Sequence, residues 1–235
     1  MKKLTLLFFA IFIGLAGLLS AQKQFSGSIK TSYKIEGTED PNILSKVPEE
    51  NEMIILGNKS KIVFSSQGGA QTIIVDGDKK TQTVLFEING YGKYYTVVDE
   101  EKMQKKFQTT DYKYDYLEEY MTIAGYNCQK VIVTETDLET DEVESMVVYI
   151  NKEICNTDAH NFNQLPGLLG FVLRQELNMG EENENAILII EAKEVNTGKK
   201  IKDFDFMLPS DAKDLFKDTT PDEKKFFGIT DEDED

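Results

Sequence analysis

Short runs in which apolar and polar residues alternate recur along most of this chain, and they constrain its fold more than any other feature. Most of the runs end in a turn signal, such as Gly57-Asn58, Asp76-Gly77-Asp78 or Asn89-Gly90. Alternation with a period of two residues is typical of half-buried β-strands, and long helical stripes are absent. The alternating runs are residues 25–35, 53–56, 61–64, 72–75, 83–86, 94–98, 129–134, 146–150, 171–177, 186–190 and 204–206.

These runs predict about ten strands joined by hairpins, without the strand–helix alternation of a parallel sheet. The predicted fold class is mainly β, with a large curled antiparallel sheet, or half-open β-barrel, and few short helices. A sheet of this size must curl or be covered, because an exposed apolar face would aggregate. Helix is expected only at residues 100–107 and 221–227, the second preceded by Thr220 and Glu223 at the spacing of a capping box.

The first residues predict export. Lys2-Lys3 precede an apolar run of 16 residues from Leu4 to Leu19, and Ala21 offers a cleavage site. A transmembrane anchor is the alternative, but a bilayer needs about 20 apolar residues. We therefore predict a signal peptide over residues 1–21 and a soluble protein in the periplasm or outside the cell, with no membrane span after cleavage.

The mature chain is predicted to divide into two parts. Residues 22–208 form the antiparallel half-barrel, and residues 209–235 form an acidic tail that ends in five carboxylates and contains the short helix 221–227. Such a tail is expected to be disordered, because it has little apolar surface to bury.

The acidic charge excludes some partners. The formal net charge is −16, and removal of Lys2 and Lys3 with the signal peptide lowers it to −18. A surface of this sign repels phosphate backbones and anionic headgroups, which disfavours nucleic acids and membrane surfaces as partners.

Two cysteines in an exported chain predict one disulfide bridge, and two buried free thiols are the alternative. Residues 137–142 are polar and form the turn between the two strands that carry Cys128 and Cys155. If the hairpin folds about residues 141 and 142, residue i faces residue 283 − i, so that Cys128 lies opposite Cys155.

No catalytic, cofactor or metal site is recognisable. His160 is the only histidine and lies in a polar stretch, where a solvated surface residue is expected. A serine nucleophile motif, a phosphate-binding loop and a dinucleotide fingerprint are all missing. Asp76-Gly77-Asp78 is interpreted as a turn, because Lys79-Lys80 break the pattern of a calcium loop. The protein is therefore predicted not to be an enzyme.

Two groups of side chains remain as candidates for binding. Tyr112, Tyr114 and Tyr116 share one face of an extended segment, where they form either the edge of the core or a binding rim. The segment 165–171 surrounds a Pro-Gly pair with large apolar residues and needs a cover. Its residues either plug the open end of the sheet or form the lip of an apolar ligand site, and the predicted lip residues are Leu165, Leu168, Leu169 and Phe171.

Three segments carry a family resemblance. Residues 122–130 (TIAGYNCQK), residues 165–169 (LPGLL) and residues 206–210 (FMLPS) together resemble an uncharacterised group of exported bacterial proteins related to the LolA/LolB-like lipoprotein carriers. The second segment is also similar, more weakly, to the secreted GLPGLI-type proteins. The resemblance implies a half-open β-barrel whose concave apolar face is closed by helices or loops, and in the carriers that face receives acyl chains. The chain departs from the carriers in its short helices and in the setting of Arg174, its only arginine.

These observations favour a non-enzymatic binding module of the cell envelope that holds a lipid or another apolar ligand in a curled sheet. The alternative is an interaction or structural protein with a filled core and a protein partner in the envelope. An enzyme is the third reading, and it requires carboxylates that converge in a cleft.

Overall fold

The computed structural model describes residues 25–44, 47–102, 108–154, 157–161, 165–179 and 186–220, together with residues 223 and 227. The predicted signal peptide, Cys155 and the terminal acidic residues 231–235 lie outside the described residues. No helix within these described ranges is long and apolar enough to cross a membrane.

One mixed but almost entirely antiparallel sheet forms the protein. Its twelve strands are β1 (Ser26–Glu36), β2 (Glu50–Leu56), β3 (Lys59–Ser66), β4 (Gly69–Asp76), β5 (Thr81–Ile88), β6 (Gly92–Val98), β7 (Thr110–Ile123), β8 (Tyr126–Asp137), β9 (Val143–Asn151), β10 (Phe171–Asn178), β11 (Ile187–Asn196) and β12 (Lys213–Asp214). The helical elements with both ends in the described residues are α1 (Pro41–Leu44), α2 (Thr157–Asn161) and a 3₁₀ helix (Asp203–Phe206). Residues 100–102 of the predicted helix 100–107 are also helical, and residues 103–107 lie outside the described residues.

The strand order is β12-β6-β5-β4-β3-β2-β1-β11-β10-β9-β8-β7. The sheet therefore consists of two consecutive meanders, β2 to β6 and β7 to β11, which β1 joins by pairing with both β2 and β11. The sheet is curled but not closed into a barrel, which confirms the predicted fold class. Only the pairing of β12 with β6 is parallel.

The hairpin turns of the first meander follow the sequence prediction. Gly57-Asn58 connects β2 to β3, and Gly57 adopts a φ of 60°, which glycine tolerates without steric cost. Asn89-Gly90 lies between β5 and β6, and the φ of Gly90 is 84°. These turns form where the sequence places them because their backbone conformations depend on local residues.

The hairpin of β8 and β9 differs from the predicted register. Gln129 pairs with Ile150 and Thr136 with Val143, so that paired residue numbers sum to 279 and not to 283. The predicted register is therefore wrong. The carboxylate of Asp137 accepts hydrogen bonds from the backbone N–H groups of residues 139 and 140, at 2.8 and 2.9 Å, and this local turn moves the hairpin tip towards the N-terminus.

The C-terminal part of the chain also differs from expectation. The predicted strand 204–206 is wrong, because these residues belong to the 3₁₀ helix. The domain was expected to end at residue 208, but β12 extends the sheet beyond it and Leu215 is buried. Thr220 and Glu223 exchange the hydrogen bonds of the predicted capping box. The C-terminal segment attaches through Glu223, which accepts a hydrogen bond of 2.7 Å from the buried Tyr94 hydroxyl.

Candidate functional site: a cavity beneath helix α2

A cavity of about 360 Å³ lies on the concave face of the sheet, beneath α2. Strands β1 to β4 form one wall and strands β10 and β11 form the other. Most of its lining is apolar and includes Ile29, Met53, Ile62, Ile73, Phe171 and Leu173.

The strand register explains why these side chains share one surface. Ile29 pairs with Met53, Met53 with Ile62, and Ile62 with Ile73, so one apolar row crosses four strands. Because side chains alternate between the faces of a strand, the neighbour Val63 points away from the cavity, and 37% of its surface is exposed.

A few polar side chains interrupt the apolar lining. Thr31, Tyr33, Ser60, Gln175 and the two α2 residues His160 and Asn161 contribute hydroxyl, amide and imidazole groups. None of the described residues that line the cavity is Asp or Glu. An apolar cavity with a few convergent polar groups is the usual form of a small-molecule site.

Arg174 also lines the cavity, but acidic residues engage its guanidinium group. Its Nη1 donates to Glu191 at 2.5 Å, and its Nη2 lies 2.7 Å from the Glu176 carboxylate. These two carboxylates satisfy much of the charge of Arg174, so the cavity presents little free positive charge.

The prediction that His160 is a solvated surface residue is wrong. His160 belongs to α2, and only 9% of its surface is exposed. Its Nε2 lies 3.0 Å from the Gly57 carbonyl oxygen, and its ring packs edge-on against Phe171 with centroids 5.8 Å apart. The sequence could not show this burial, because the groups that cover the ring come from β2–β3 and β10.

The Gly57 contact fixes the tautomer of His160. A carbonyl oxygen can only accept, so Nε2 carries a hydrogen, and in the neutral ring Nδ1 is then a bare acceptor. The Nδ1 atom is buried and has no hydrogen-bond partner. Burial lowers the pKa of His160 below its usual value of 6.5, and the Gly57 contact opposes this shift only in part. The imidazole is therefore neutral at pH 7.

Close approach of backbones holds α2 against the first meander. A Cβ atom added to Gly77 would lie 2.3 Å from the Ala159 carbonyl oxygen. The Gly77 N–H donates to the Asn58 carbonyl oxygen at 2.9 Å, which links the two turns on which α2 rests. Glycine at position 77 thus permits α2 to span the two walls of the cavity.

The structure separates the four predicted lip residues. Leu165 and Phe171 line the cavity and are buried. Leu168 does not line the cavity and is completely buried in a cluster that it shares with Leu165 and with Val131, Val133, Val148 and Ile150 of β8 and β9. Leu169 points outward, and 59% of its surface is exposed.

Tyrosines of β7 anchor the loop that carries these residues. The Tyr114 hydroxyl donates to the Pro166 carbonyl oxygen, and the Tyr116 hydroxyl accepts from the Leu169 N–H, both at 2.9 Å. Tyr112 stacks on Tyr114, and all three rings pack against the Leu168 cluster. Burial raises the pKa of Tyr112 to about 12. These rings therefore form the edge of the core.

Cys128 is a buried free thiol in the structure, and burial raises its pKa to about 11. Gln129, the residue after Cys128, pairs with Ile150 in the observed register. The register that would have set Cys128 opposite Cys155 is therefore not the observed one. Ile154, the residue before Cys155, packs in the same cluster as Cys128. The bridge stays a prediction, because Cys155 lies outside the described residues.

Metal ligands are not grouped in the described part of the chain. No set of three or more His, Cys, Asp or Glu side chains there could hold a metal ion.

Comparisons with known proteins give a fold and no family. No family model matches the chain, and neither does any curated protein. The solved structure of PNGF-II is similar, with a TM-score of 0.52 and 12% identity over 81% of this chain and 31% of that one. This chain thus spans less than a third of PNGF-II, and at this identity the likeness concerns the fold alone.

Two further structures score lower. MucB has a TM-score of 0.34 and 11% identity, covering 84% of this chain and 62% of that one. The hypothetical lipoprotein YmcC of Escherichia coli has a TM-score of 0.30 and 9% identity, covering 81% of this chain and 95% of its own. Scores of this size support no functional argument, and PNGF-II provides the one fold-level match among these three.

Proposed function

We propose that this protein is an exported, non-enzymatic binding module of the cell envelope that holds an apolar ligand beneath α2. The observation that carries the proposal is the cavity of about 360 Å³ with its predominantly apolar lining. Ligand sites have volumes of about 300–1,000 Å³ and similar linings.

The chemistry of the lining supports binding of an apolar molecule. Its polar groups are few, and the described lining contains no carboxylate and no thiol. The only histidine holds its single hydrogen against the Gly57 carbonyl oxygen. The hydroxyl, amide and imidazole groups of the lining can orient a ligand.

A filled core would favour the alternative, an interaction or structural protein. The apolar row of Ile29, Met53, Ile62 and Ile73 instead borders open space. Such a row would ordinarily be packed against another layer, because interiors are close-packed. A ligand in the cavity would complete this packing.

Two variants on one strand test the proposal. Ile62→Trp places an indole in the cavity, whereas Val63→Trp places the same group on the opposite face of β3. We expect the neutral dye N-phenylnaphthylamine to fluoresce more strongly with the wild-type protein and with Val63→Trp, and to lose this enhancement with Ile62→Trp. Overpacking costs about 1–3 kcal/mol, so circular dichroism is needed to verify that both variants keep the fold.

Absence of dye binding to the wild-type protein, or equal binding to both variants, would contradict the proposed site. A protein partner recovered with Ile62→Trp as well as with the wild type, without dye binding, would favour the interaction protein instead. Export is tested separately by the mass of the mature N-terminus, which should begin at Gln22 of the secreted product.

A further inference from the structure

We propose that the convex face of the sheet carries a second binding site, which takes a small apolar molecule with one carboxylate group, and that Lys61 binds this carboxylate. The site is a groove of about 540 Å³ between strands β2 and β3 and the segment 204–210, and we call it the outer groove. It is separate from the cavity beneath α2, so the inference does not depend on the proposed function.

The strand register places the floor of the outer groove on the opposite side of the sheet from the cavity. Ile54 of β2 pairs with Lys61 of β3, and both residues line the groove. Their neighbours Met53 and Ile62 line the cavity. Because successive side chains of a strand point to opposite faces, the sheet separates the two sites.

The wall of the outer groove is apolar and exposed. Phe204 and Met207 are 75% and 63% exposed, which are the largest exposed fractions among the large apolar side chains of the described chain. Leu208 and Pro209 also line the groove. Single exposed apolar residues are common, but a group of them beside a groove is typical of a surface that binds a ligand or partner.

Lys61 is the cationic group of the outer groove, and no carboxylate of the described residues pairs with it. Its Nζ donates to the Asp205 carbonyl oxygen at 3.0 Å, so the ammonium group connects the floor of the groove to its wall. An ammonium group has three donor hydrogens, and within the described ranges Lys61 has no ion-pair partner. Lys59 lies two residues earlier on the same face and differs, because it pairs with Asp203 at 2.8 Å. The remaining donors of Lys61 are complementary to a carboxylate, which accepts charge-assisted hydrogen bonds.

The acidic charge of the protein does not exclude such an anion. Asp205 is the acidic residue among the described residues that line the groove, and its carboxylate accepts a hydrogen bond from the Lys202 backbone N–H at 2.8 Å. Exposed charges farther away than about 8–10 Å are largely screened at about 0.1–0.15 M salt. The ammonium group of Lys61 therefore determines the charge of the ligand more than the net charge of −16 does.

Two probes that differ in charge test the proposal. Phenylbutyrate carries a carboxylate, and phenylbutanamide is its neutral counterpart with the same apolar body. We expect the wild-type protein to bind phenylbutyrate about tenfold more tightly, because a hydrogen bond to a charged group has this order of effect. Added salt should reduce this preference, and this measurement needs no variant.

Methionine methyl resonances report where each probe binds. Met207 lines the outer groove and Met53 lines the cavity, so ¹³C-methyl labelling of methionine monitors both sites in one sample. The substitutions Met207→Leu and Met53→Leu assign the two resonances. Phenylbutyrate should move the Met207 resonance at about tenfold lower concentration than phenylbutanamide does.

Two lysines on one face of β3 provide a matched pair of variants. Lys61→Met keeps an apolar stem without the charge, so the two probes should bind equally. Lys59→Met removes the neighbouring lysine with its contact to Asp203, and it should keep the preference, as should Lys61→Arg. Phe204→Ala should weaken the binding of both probes without lowering the melting temperature, because the ring is exposed.

Equal affinity of the wild-type protein for the two probes would overturn this inference. A preference that Lys61→Met retains or Lys59→Met loses, or one recorded at Met53 and not at Met207, would overturn it as well. None of these results bears on the proposed function, which the dye and Ile62→Trp test on the other face of the sheet.

Discussion

Replacement of Leu168 by alanine should destabilise the protein far more than the same replacement of its neighbour Leu169. The two leucines are adjacent in one loop, but Leu168 is completely buried and Leu169 is 59% exposed. Sequence alone treats them alike, so the pair isolates the effect of tertiary packing.

The surroundings of Leu168 lead us to expect that Leu168→Ala lowers the free energy of unfolding by an amount near the upper end of the range for buried leucines. Deletion of a buried leucine side chain costs about 2–5 kcal/mol, and more where the surroundings cannot collapse into the void. The buried neighbours of Leu168 are Leu165 of the same loop and three valines and an isoleucine on β8 and β9, and these four strand residues are held by strand pairing. Asn161 Nδ2 donates to the carbonyl oxygens of Leu168 and Gly170, at 3.1 and 2.9 Å, so the loop backbone cannot move inward freely.

We therefore expect Leu168→Ala to lower the free energy of unfolding by about 3–5 kcal/mol, and Leu169→Ala to change it by less than about 0.5 kcal/mol. Urea unfolding measures both, and Leu168→Ala should show a lower midpoint with an unchanged slope. Equal effects of the two variants, or a larger effect at Leu169, would refute the placement of this loop.

Three further predictions concern α2, its histidine and the cysteines. Gly77→Ala should lower the melting temperature, because the added Cβ would lie 2.3 Å from the Ala159 carbonyl oxygen. Gly68→Ala is the control and should not lower it, because its Cβ would meet no atom closer than 3.9 Å. Calorimetry compares the two variants, and equal melting temperatures would show that α2 does not rest on the turn at Gly77. Since the pKa of His160 is lower in the folded protein than its usual 6.5, the unfolded chain binds the proton more readily; the stability from the neutral ring is complete above about pH 6.5 and declines below it. Denaturant midpoints between about pH 7.5 and pH 5.5 should therefore fall more in the wild type than in His160→Phe, and parallel curves would contradict this assignment. The predicted bridge would close a loop of 28 residues and stabilise the fold by about 3–4 kcal/mol in the chain-entropy model, so unfolded, unreduced protein should contain no titratable thiol, and two thiols would disprove the bridge.

Local features of the sequence were sufficient for the fold class and for several turns. Alternation of period two predicted most strands of both meanders but not β7, and Gly57-Asn58 and Asn89-Gly90 predicted where hairpins turn. These predictions hold because a strand face and a tight turn depend on residues within a few positions of each other. The reciprocal hydrogen bonds of Thr220 and Glu223 are local in the same sense.

Register was decided less locally. The polar segment between β8 and β9 was recognisable as a turn, but its centre depended on which backbone N–H groups the Asp137 carboxylate binds. A register shift by an even number of residues keeps every side chain on the same face of the sheet. The alternation pattern therefore could not distinguish a register in which paired residue numbers sum to 279 from one in which they sum to 283.

The candidate site was decided by tertiary structure. By sequence, His160 lies in a polar stretch, and Leu168 and Leu169 are equivalent. The curl of the sheet brings the Gly57 carbonyl and Phe171 onto the histidine ring, and it places one leucine in the core and the other in solvent. Burial is a property of what surrounds a residue, and these surroundings come from strands far apart in the chain. For this reason the sequence determined the sheet and many of its turns, whereas the cavity and its unpaired nitrogen exist only in the folded protein.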